Sequence, residues 1–580
     1  MSLIKGLDER SKYNVGEKCH IQLNWSEKID ELIVQFYFQL IRSDNHDDLI
    51  KQFDNIMSLL KNNYDEKKIL TLLKLTANCR DIFGKGERDL SYMLLFNWWL
   101  YNPKFAYFLF ENFIYNSSMH PYGSWSDVKK MCEYIRKRTN NTDHKFINYI
   151  VKLSNYYLKQ DYENLLKLKN ENQNNIKISL CGKWLPREKS KYKWLHKKLA
   201  FDMFPQYLKT CKNNDSKRRA ILKCKIQYTK ILTTLNEYLD TTQIKMCNKS
   251  WKYINFDNVT SKTIHLQKLS FLNKKKVNNK LINRYDISDR LQCSNNFNNY
   301  IENLKKNNKT LKGKRCNVYE FVKDALKYEH NNDENNKKVK EIINEQWKDN
   351  KQQNDTLSKI IPMADVSGSM ECDNCIPLYN SIGLSIRISE KTHPVFKNRI
   401  LTFSENPSWV KLSDDMTFCD KVYKVRRADW GGNTNIYKAM ELICDTLIYN
   451  NIEPNEVKNL TLCILSDMQI DNTLMGKSFN TLYDNIKLLF NNAGLQTKFK
   501  TPYEPPHILF WNLRKTSGFP VKSDQKNVTM ISGYNELLLN VFREKGMKGL
   551  EESTPIDMLN DILDNNRYHH IKNVLQHRIL

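Results

Sequence analysis

The sequence predicts a multidomain protein with two parts, a mostly α-helical N-terminal region followed by an α/β domain with a doubly wound, Rossmann-like sheet. Three observations support this fold class. The length of 580 residues is more than one hydrophobic core usually supports. Apolar residues recur at helical spacing up to about residue 350. From about residue 358, short apolar runs alternate with segments of helix length. We therefore expect residues 1–350 to be helical and residues 351–580 to be α/β.

The N-terminal region has the pattern of successive helices. Residues 27–42 place their apolar side chains on one broad face, and residues 91–101 are apolar nearly all round, as in a helix buried between others. Further helices are predicted at 56–61, 68–76, 105–116, 125–138, 145–168 and 216–239. Such a series is typical of a helical array or bundle, although no repeat period is clear. The Asn- and Lys-rich run at 331–338 predicts an exposed linker.

The C-terminal region alternates predicted strands and helices. The predicted strands are 359–365, 398–404, 460–466, 506–511 and 527–531. The predicted helices are 376–390, 435–449, 477–491, 534–545 and a terminal helix at 555–580. Strands separated by helix-length segments favour a parallel sheet with helices on both faces.

The net charge of +26 is concentrated in the middle of the chain. Lys and Arg number 21 against 19 Asp and Glu in residues 1–150, and 27 against 26 in residues 351–580. Residues 151–350 hold 43 against 20, an excess of +23. An AT-rich genome also enriches Lys and Asn, but that bias should affect all three parts alike. The uneven distribution favours a surface that faces a polyanion.

The sequence indicates an intracellular, cytoplasmic protein. The 14 cysteines are scattered and do not form the dense framework of small secreted proteins, so a reducing compartment is expected. No stretch approaches 18 consecutive apolar residues, and residues 1–8 lack the apolar segment of a secretory signal. We expect no membrane partner.

Three short motifs together predict a divalent metal site. Asp365, Ser367 and Ser369 follow one apolar run as Asp-x-Ser-x-Ser, Thr434 lies in a Gly-Gly-Asn-Thr-Asn segment, and Asp467 follows a second apolar run. Mg²⁺ binds about six oxygen ligands near 2.1 Å, and hydroxyls and carboxylates supply such ligands. Ser and Asp at strand ends could also cap the next helix, but capping explains each motif separately and not all three together. The expected cofactor is Mg²⁺ or Mn²⁺.

A segment that interleaves basic and aromatic residues predicts nucleic-acid binding in the basic third. Cations meet phosphates, while Trp and Tyr rings can stack on bases. The alternative is that the Trp residues anchor the core and the lysines form a solvated face. The candidate nucleic-acid-binding residues are Lys183, Arg187, Lys189, Lys193, Trp194, Lys197, Lys198, Lys217, Arg218 and Arg219.

Two other motifs have weaker functional interpretations. Residues 80–89 are dense in charge and glycine but contain no phosphate-loop motif, so a tight helix–helix corner with paired Arg and Asp is favoured over phosphate or RNA contact. Cys372 and Cys375 follow the metal motif near a helix start, where a redox or metal role is one interpretation and an inert pair is the other. No catalytic motif is found, so the chain is not expected to be an enzyme.

Several segments resemble an uncharacterised two-part family of plants, fungi and large DNA viruses, with a helical domain of unknown function and a von Willebrand A-type domain. The resemblance implies that the metal motifs form a metal-ion-dependent adhesion site. Ser367, Ser369 and Thr434 would then touch the metal, with Asp365 and Asp467 near it or bridged by water. The layout is also distantly similar to the Ro autoantigen, whose helical ring binds small RNAs. The segments that carry the family resemblance are 80–88, 122–127, 183–186, 365–370 and 510–513.

These observations lead to one main functional hypothesis and two alternatives. The main hypothesis is a non-enzymatic intracellular scaffold, in which the basic helical region binds RNA and a protein partner offers an acidic residue to the metal. The alternatives are a protein-docking platform that binds acidic proteins without nucleic acid, and an adaptor for an ATPase. The sequence leaves the oligomeric state open.

Overall fold

The computed structural model describes most of the chain. The described residues are 12–17, 21–171, 177–278, 280–329, 333–354, 357, 359–392, 394, 396–403, 407–428, 436–469, 482–540 and 552–576. Within them the N-terminal region is mostly helical, and the C-terminal region contains a six-stranded sheet with helices, which confirms the two-part architecture.

The helices of the N-terminal region follow one another closely. They are α1 (Ile29–Gln39), α2 (Asp47–Asn62), α3 (Glu66–Arg80), α4 (Arg88–Tyr101), α5 (Pro103–Ile114), α6 (Ser126–Thr139), α7 (Lys145–Glu171), α8 (Cys181–Trp184), α9 (Lys193–Met203), α10 (Pro205–Lys209), α11 (Asn214–Tyr238), α12 (Thr242–Cys247), α13 (Ser261–Phe271), α14 (Ser288–Lys306), α15 (Val318–Lys327) and α16 (Glu334–Lys351). Helix α4 has buried residues on every side from Leu90 to Trp98, as its apolar sequence predicts. None of the described helices is long and apolar enough to cross a membrane.

The N-terminal region also contains two short hairpins, one before α1 and one between α13 and α14. Strand β1 (Tyr13–Val15) pairs antiparallel with β2 (Ile21–Leu23), and β3 (Lys274–Val277) pairs antiparallel with β4 (Lys280–Asn283). The sequence analysis predicts neither hairpin, because β3 and β4 are rich in lysine and lack an apolar alternation. Pairing between β3 and β4 holds both strands in the extended conformation, although most of their side chains are not buried.

The C-terminal sheet has six strands. They are β5 (Ile360–Asp365), β6 (Arg399–Phe403), β7 (Ser408–Lys411), β8 (Thr461–Ser466), β9 (His507–Asn512) and β10 (Val528–Ser532), in the order β10-β9-β8-β5-β6-β7. All neighbouring strands are parallel except β6 and β7. Every residue of β5, β8, β9 and β10 is buried, as expected for parallel strands covered on both faces. The five predicted strands agree with the structure to within one residue at each end.

The helices of the C-terminal region agree less closely with the sequence predictions. They are α17 (Cys372–Lys391), α18 (Phe418–Arg426), α19 (Ile436–Tyr449), α20 (Pro454–Lys458), α21 (Leu482–Gln496), α22 (Pro555–Leu563) and α23 (Asn573–Gln576). The predicted helix at 534–545 is a 3-10 helix at Glu536–Asn540, and its last residues lie outside the described part of the chain. The predicted terminal helix is wrong as one element, because a 3-10 helix (Asn566–Lys572) separates α22 from α23. The edge strand β7 was not predicted.

The two regions are joined by the charged corner between α3 and α4, which comprises residues 80–87. The Arg80 side chain donates to Asp127 Oδ2 at 2.6 Å, and Tyr92 Oη donates to Asp127 Oδ1 at 2.5 Å. Asp81 accepts two hydrogen bonds from the Arg567 guanidinium at 2.7 and 2.8 Å. The prediction of a tight corner is confirmed, but its charges pair with distant segments and not across the corner itself.

Lys85 fixes the same corner to the sheet. Its ammonium donates to Tyr37 O at 2.7 Å, to Leu40 O at 3.0 Å and to Ser532 Oγ, the last residue of β10. The glycines on either side make this possible. A Cβ on Gly84 would lie 2.3 Å from Asn78 O, and Gly86 has φ +71°, where other residues are strained.

We predict that removing the buried Asp127 carboxylate destabilises the protein severely. Asp127→Ala leaves the Arg80 guanidinium, whose side chain is 5% exposed, without its partner. Breaking a buried pair in this way costs about 3–5 kcal/mol. The measurement is the free energy of unfolding from urea titration. The matched control is Glu163→Gln, which removes an exposed pair with Lys159 and should change stability by less than about 1 kcal/mol. Equal effects of the two variants would contradict the structural role of Asp127.

Candidate metal centre and basic surface

The metal motifs meet where the order of the sheet reverses. The chain forms β5, then β6 and β7 on one side, and then returns to place β8, β9 and β10 on the other side of β5. Ala364 of β5 pairs with Leu465 of β8, so the carboxyl ends of these two parallel strands are adjacent. In doubly wound sheets ligands bind at such a switch point, because the loops diverge there and leave a crevice.

Asp365, Ser367 and Ser369 are brought together at the end of β5. Asp365 is fully buried, and its Oδ1 accepts the backbone N–H of Ser367 at 2.9 Å. Its Oδ2 accepts the Ser466 hydroxyl at 2.6 Å. The Ser367 and Ser369 hydroxyl oxygens lie 3.1 Å apart. This separation matches the distance of about 3.0 Å between adjacent ligands in an octahedron with 2.1 Å bonds.

Asp467 lies beside this group and is also fully buried. Its Oδ1 accepts the backbone N–H of Gln469 at 3.0 Å, and its Oδ2 accepts Arg514 Nε at 2.9 Å. The Arg514 guanidinium also donates to Glu17 at 2.6 Å, so it bridges two carboxylates. Burial, together with the negative charge of Asp467, raises the pKa of Asp365 to about 7. Asp467 is therefore paired with a cationic side chain, whereas Asp365 accepts hydrogen bonds from the neutral groups of Ser367 and Ser466.

The chemistry of these donors fits a hard divalent cation. Each carboxylate oxygen of Asp365 and Asp467 accepts a protein hydrogen bond and keeps a second lone pair, so these residues would supply negative charge to a cation directly or through a bridging water. The hydroxyls of Ser367 and Ser369 would hold the cation. No group of three His, Cys, Asp or Glu side chains in the described ranges is arranged as a metal site, so the candidate depends on hydroxyl ligands.

Thr434 lies outside the described residues, so the structure does not place this predicted ligand. The neighbouring thiols are described. Cys372 and Cys375 are both free and partly exposed. Burial raises the pKa of Cys372 to about 11, which disfavours the reactive thiolate. This agrees with an inert pair.

The sequence analysis missed the residues that complete the site. Ser466 was noted only as part of its strand end, and Arg514 was not considered at all. The Asn512 side-chain amide is fully buried, and its Nδ2 has no hydrogen-bond partner in the described structure. The segment 510–513 is part of the family resemblance, but one sequence gives no signal that the next residue, Arg514, reaches Asp467.

The basic segment forms one surface around Trp184 and Tyr192. Lys129 Nζ lies 5.1 Å from the Trp184 ring centroid and 5.9 Å from that of Tyr192. Lys183 lies 5.8 Å from the Trp184 ring and Lys191 lies 5.0 Å from the Tyr192 ring. Burial lowers the pKa of Lys129, and the positive charges of Lys191 and Arg187 lower it further. We call these six residues the basic-aromatic cluster: Lys129, Lys183, Trp184, Arg187, Lys191 and Tyr192.

The other candidate nucleic-acid residues fall into two groups. Lys189, Lys193, Lys197, Lys217, Arg218 and Arg219 are exposed. The last three lie on α11, whose Lys225 pairs with Glu188 of the basic segment at 3.0 Å. Lys198, in contrast, pairs with Asp143. Trp194 is half-buried against the core, and its Nε1 donates to Glu133 at 3.1 Å. Its ring is held by the protein, as the core-anchor interpretation expects.

Comparison with known proteins supports an uncharacterised family that includes a protein of a large DNA virus. Residues 124–353 match a family profile described as a domain of unknown function (DUF2828), and residues 359–575 match another described as a domain of unknown function (DUF7788). The chain is similar to "Uncharacterized protein L728" of Acanthamoeba polyphaga mimivirus, with 26% identity over 547 residues. That alignment covers 92% of this chain and 84% of the viral protein.

We predict that Arg514 stabilises the buried Asp467 carboxylate when no metal is added. Arg514→Gln removes the guanidinium that binds Asp467, and breaking a buried pair costs about 3–5 kcal/mol. The measurement is thermal unfolding in the presence of a chelator. Lys515→Gln is the matched control, because Lys515 pairs with the exposed Asp48 and its loss should cost less than about 1 kcal/mol. An Arg514→Gln protein as stable as the control would contradict this electrostatic role.

Proposed function

We propose that this chain is a non-enzymatic scaffold whose C-terminal region binds a protein partner through Mg²⁺ or Mn²⁺. The observation that supports the metal most directly is the pair of buried carboxylates, Asp365 and Asp467, beside two close serine hydroxyls at the switch point of the sheet. A divalent cation there would neutralise the carboxylate pair. Thr434 is included as a third hydroxyl ligand from its place in the sequence.

The same features favour a von Willebrand A-type domain with a metal-ion-dependent adhesion site. The mainly parallel sheet, the central β5 strand and the Asp-x-Ser-x-Ser motif at its carboxyl end are the features such a domain requires. Neutral hydroxyl ligands leave positive charge on the cation. An acidic residue of a partner protein would then complete the coordination, so metal and partner would bind together.

We propose a non-enzymatic role because the sequence contains no catalytic motif. The hydrogen-bonded carboxylates at the switch point and the raised pKa of the adjacent Cys372 support this proposal. The thirteen cysteines in the described part of the chain are all free, which fits the reducing cytoplasm that we propose as its location.

We also propose that the helical region binds RNA, and the basic-aromatic cluster supports this part. None of Lys129, Lys183, Arg187 and Lys191 forms an ion pair with a carboxylate in the described structure, although Lys129 Nζ donates to Trp184 O at 3.1 Å. Uncompensated cations beside aromatic rings attract phosphates and bases. Acidic proteins are the alternative ligand for this surface, and an ATPase adaptor is the alternative role for the metal domain.

We predict that Asp365→Asn weakens Mg²⁺ binding about 10–100-fold, the usual loss when a residue supporting metal ligands is changed. The substitution keeps the size of the side chain and removes its negative charge. Isothermal titration calorimetry of the full chain gives the affinity, and circular dichroism confirms the fold. The control is Asp286→Asn, which removes the same charge from an exposed loop and should leave the affinity unchanged. Equal Mg²⁺ affinities for Asp365→Asn and the control would refute the assignment.

We predict that single-stranded RNA binds mainly through electrostatic contacts with the basic third. The logarithm of the affinity should fall linearly with the logarithm of salt concentration, by about 0.7 per phosphate contact. Lys129→Gln with Lys191→Gln should weaken binding to all sequences and lower that slope by about 1.4. Neutralising Lys217, Arg218 and Arg219 together should lower the salt slope further if the RNA also contacts α11.

The matched control for the RNA experiment changes two exposed lysines of the α/β region, Lys424→Gln with Lys487→Gln. This variant loses the same charge and should keep the affinity and the slope. Fluorescence anisotropy at four salt concentrations measures both quantities. Equal losses in the control and the cluster variant would show a non-specific charge effect, and no saturable binding at low salt would favour acidic proteins as the ligand.

A further inference from the structure

A cavity of about 170 Å³ lies at the junction of the two regions. The charged corner, the loop before α15 and the 3-10 helix Glu536–Asn540 meet around it. Its charged and aromatic lining includes Arg42, Lys85, Glu87, Lys314, Arg315 and Tyr534. We call it the seam pocket. It is distinct from the switch-point site and from the basic-aromatic cluster, and neither proposed function uses it.

The acidic groups of the seam pocket are already engaged. Glu87 is bound by the Arg42 guanidinium through two hydrogen bonds of 3.0 and 3.1 Å. Glu536 is 5% exposed and accepts a hydrogen bond from Gln353 Nε2 at 3.4 Å. Burial raises the pKa of Glu536, and the positive charges of Arg387 and Arg315 act in the opposite direction. Of the two carboxylates, Glu87 is paired with Arg42 and Glu536 is buried.

Two cationic side chains form no direct ion pair with a described carboxylate. Lys314 and Arg315 are both exposed, and Arg315 is within electrostatic range of Asp81 and Glu536. The Arg315 guanidinium lies 5.0 Å from the ring centroid of Phe83, and the Arg567 guanidinium lies 4.7 Å from the same ring. The Phe83 ring therefore lies close to two positively charged guanidinium groups. An unpaired Arg supported by an aromatic ring is positioned to bind an oxyanion.

A helix begins at the edge of the seam pocket. Asn317, the residue before α15, lines the pocket, so the positive end of the dipole of this ten-residue helix lies there. The Asn317 N–H donates to the Glu320 carboxylate at 3.0 Å, and this negative charge offsets the field of the helix. The cavity and the two cationic side chains therefore favour an anionic ligand.

We propose that the seam pocket binds a phosphate group through Arg315 and Lys314. The size of the cavity suits one phosphate, and guanidinium groups bind phosphate oxygens in pairs. The phosphate can belong to a free small molecule or to the 5′ end of an RNA strand. Because the pocket is formed by both regions, phosphate binding would hold them together and stabilise the whole chain.

The test is calorimetric titration of the full chain with inorganic phosphate at constant ionic strength. The wild-type protein should bind one phosphate, and Lys314→Gln with Arg315→Gln should weaken that binding at least tenfold. The matched control, Lys306→Gln with Lys309→Gln, loses the same charge from a nearby exposed segment outside the pocket and should bind phosphate as the wild type does. Lys314→Gln alone, at an exposed position that cannot disturb the fold, should weaken binding several-fold.

Separate RNA measurements identify the source of the phosphate. A 5′-phosphorylated RNA that binds more tightly than its 5′-hydroxyl form, with the difference lost in the Lys314/Arg315 variant, assigns the pocket to RNA ends. Equal binding of the two RNAs together with saturable inorganic phosphate assigns it to a small molecule. No saturable phosphate binding by the wild type, or an equal loss in the control, would overturn the proposal. Asp365→Asn should leave phosphate binding unchanged, so failure here is separate from failure of the metal site.

Discussion

The reversal of strand order between β5 and β8 is the constraint on which the rest of the C-terminal region depends. The carboxyl ends of these two adjacent parallel strands lie side by side, and the chain puts an aspartate at or just after each end. Asp365 and Asp467 are fully buried, although ionised carboxylates are costly to bury without a cation. Arg514 supplies one positive charge at 2.9 Å from Asp467. The proposed divalent cation would supply the charge that this arrangement still lacks.

The helical region is connected to the sheet through several buried contacts. Lys85 reaches the carboxyl end of β10, Asp81 binds Arg567, and the Gln39 side chain donates to Gly518 O at 3.1 Å. Glu17 accepts from the same Arg514 that binds Asp467, so an N-terminal residue takes part in the electrostatics of the candidate metal site. Buried contacts thus link the helical region to the sheet at several points.

The strands and the metal motif could be predicted from the sequence because each is formed by residues that are close together in the chain. The five predicted strands are mainly apolar runs, and Asp365, Ser367 and Ser369 are close in sequence as well as in space. The features that were missed depend on contacts between distant residues. The hairpin β3–β4 has no apolar pattern. Arg80 pairs with Asp127 and not with a residue close in sequence, and Arg514 contacts Asp467 only in the folded sheet. The charge excess in residues 151–350 predicted a basic surface. Lys129 lies outside this range, on α6, and joins the surface only because α6 packs against the basic segment.

Electron paramagnetic resonance of Mn²⁺ tests the central claim most directly, because the sharp signal of free aqueous Mn²⁺ disappears when the ion is bound by protein. The account predicts that the wild-type chain removes one equivalent of this signal and that excess Mg²⁺ restores it. A variant with Ser367→Ala and Ser369→Ala should leave the free signal nearly intact while retaining its fold. Loss of the signal to the same extent in wild type and variant would contradict the metal site at the switch point, as would a wild-type chain that removes none of it.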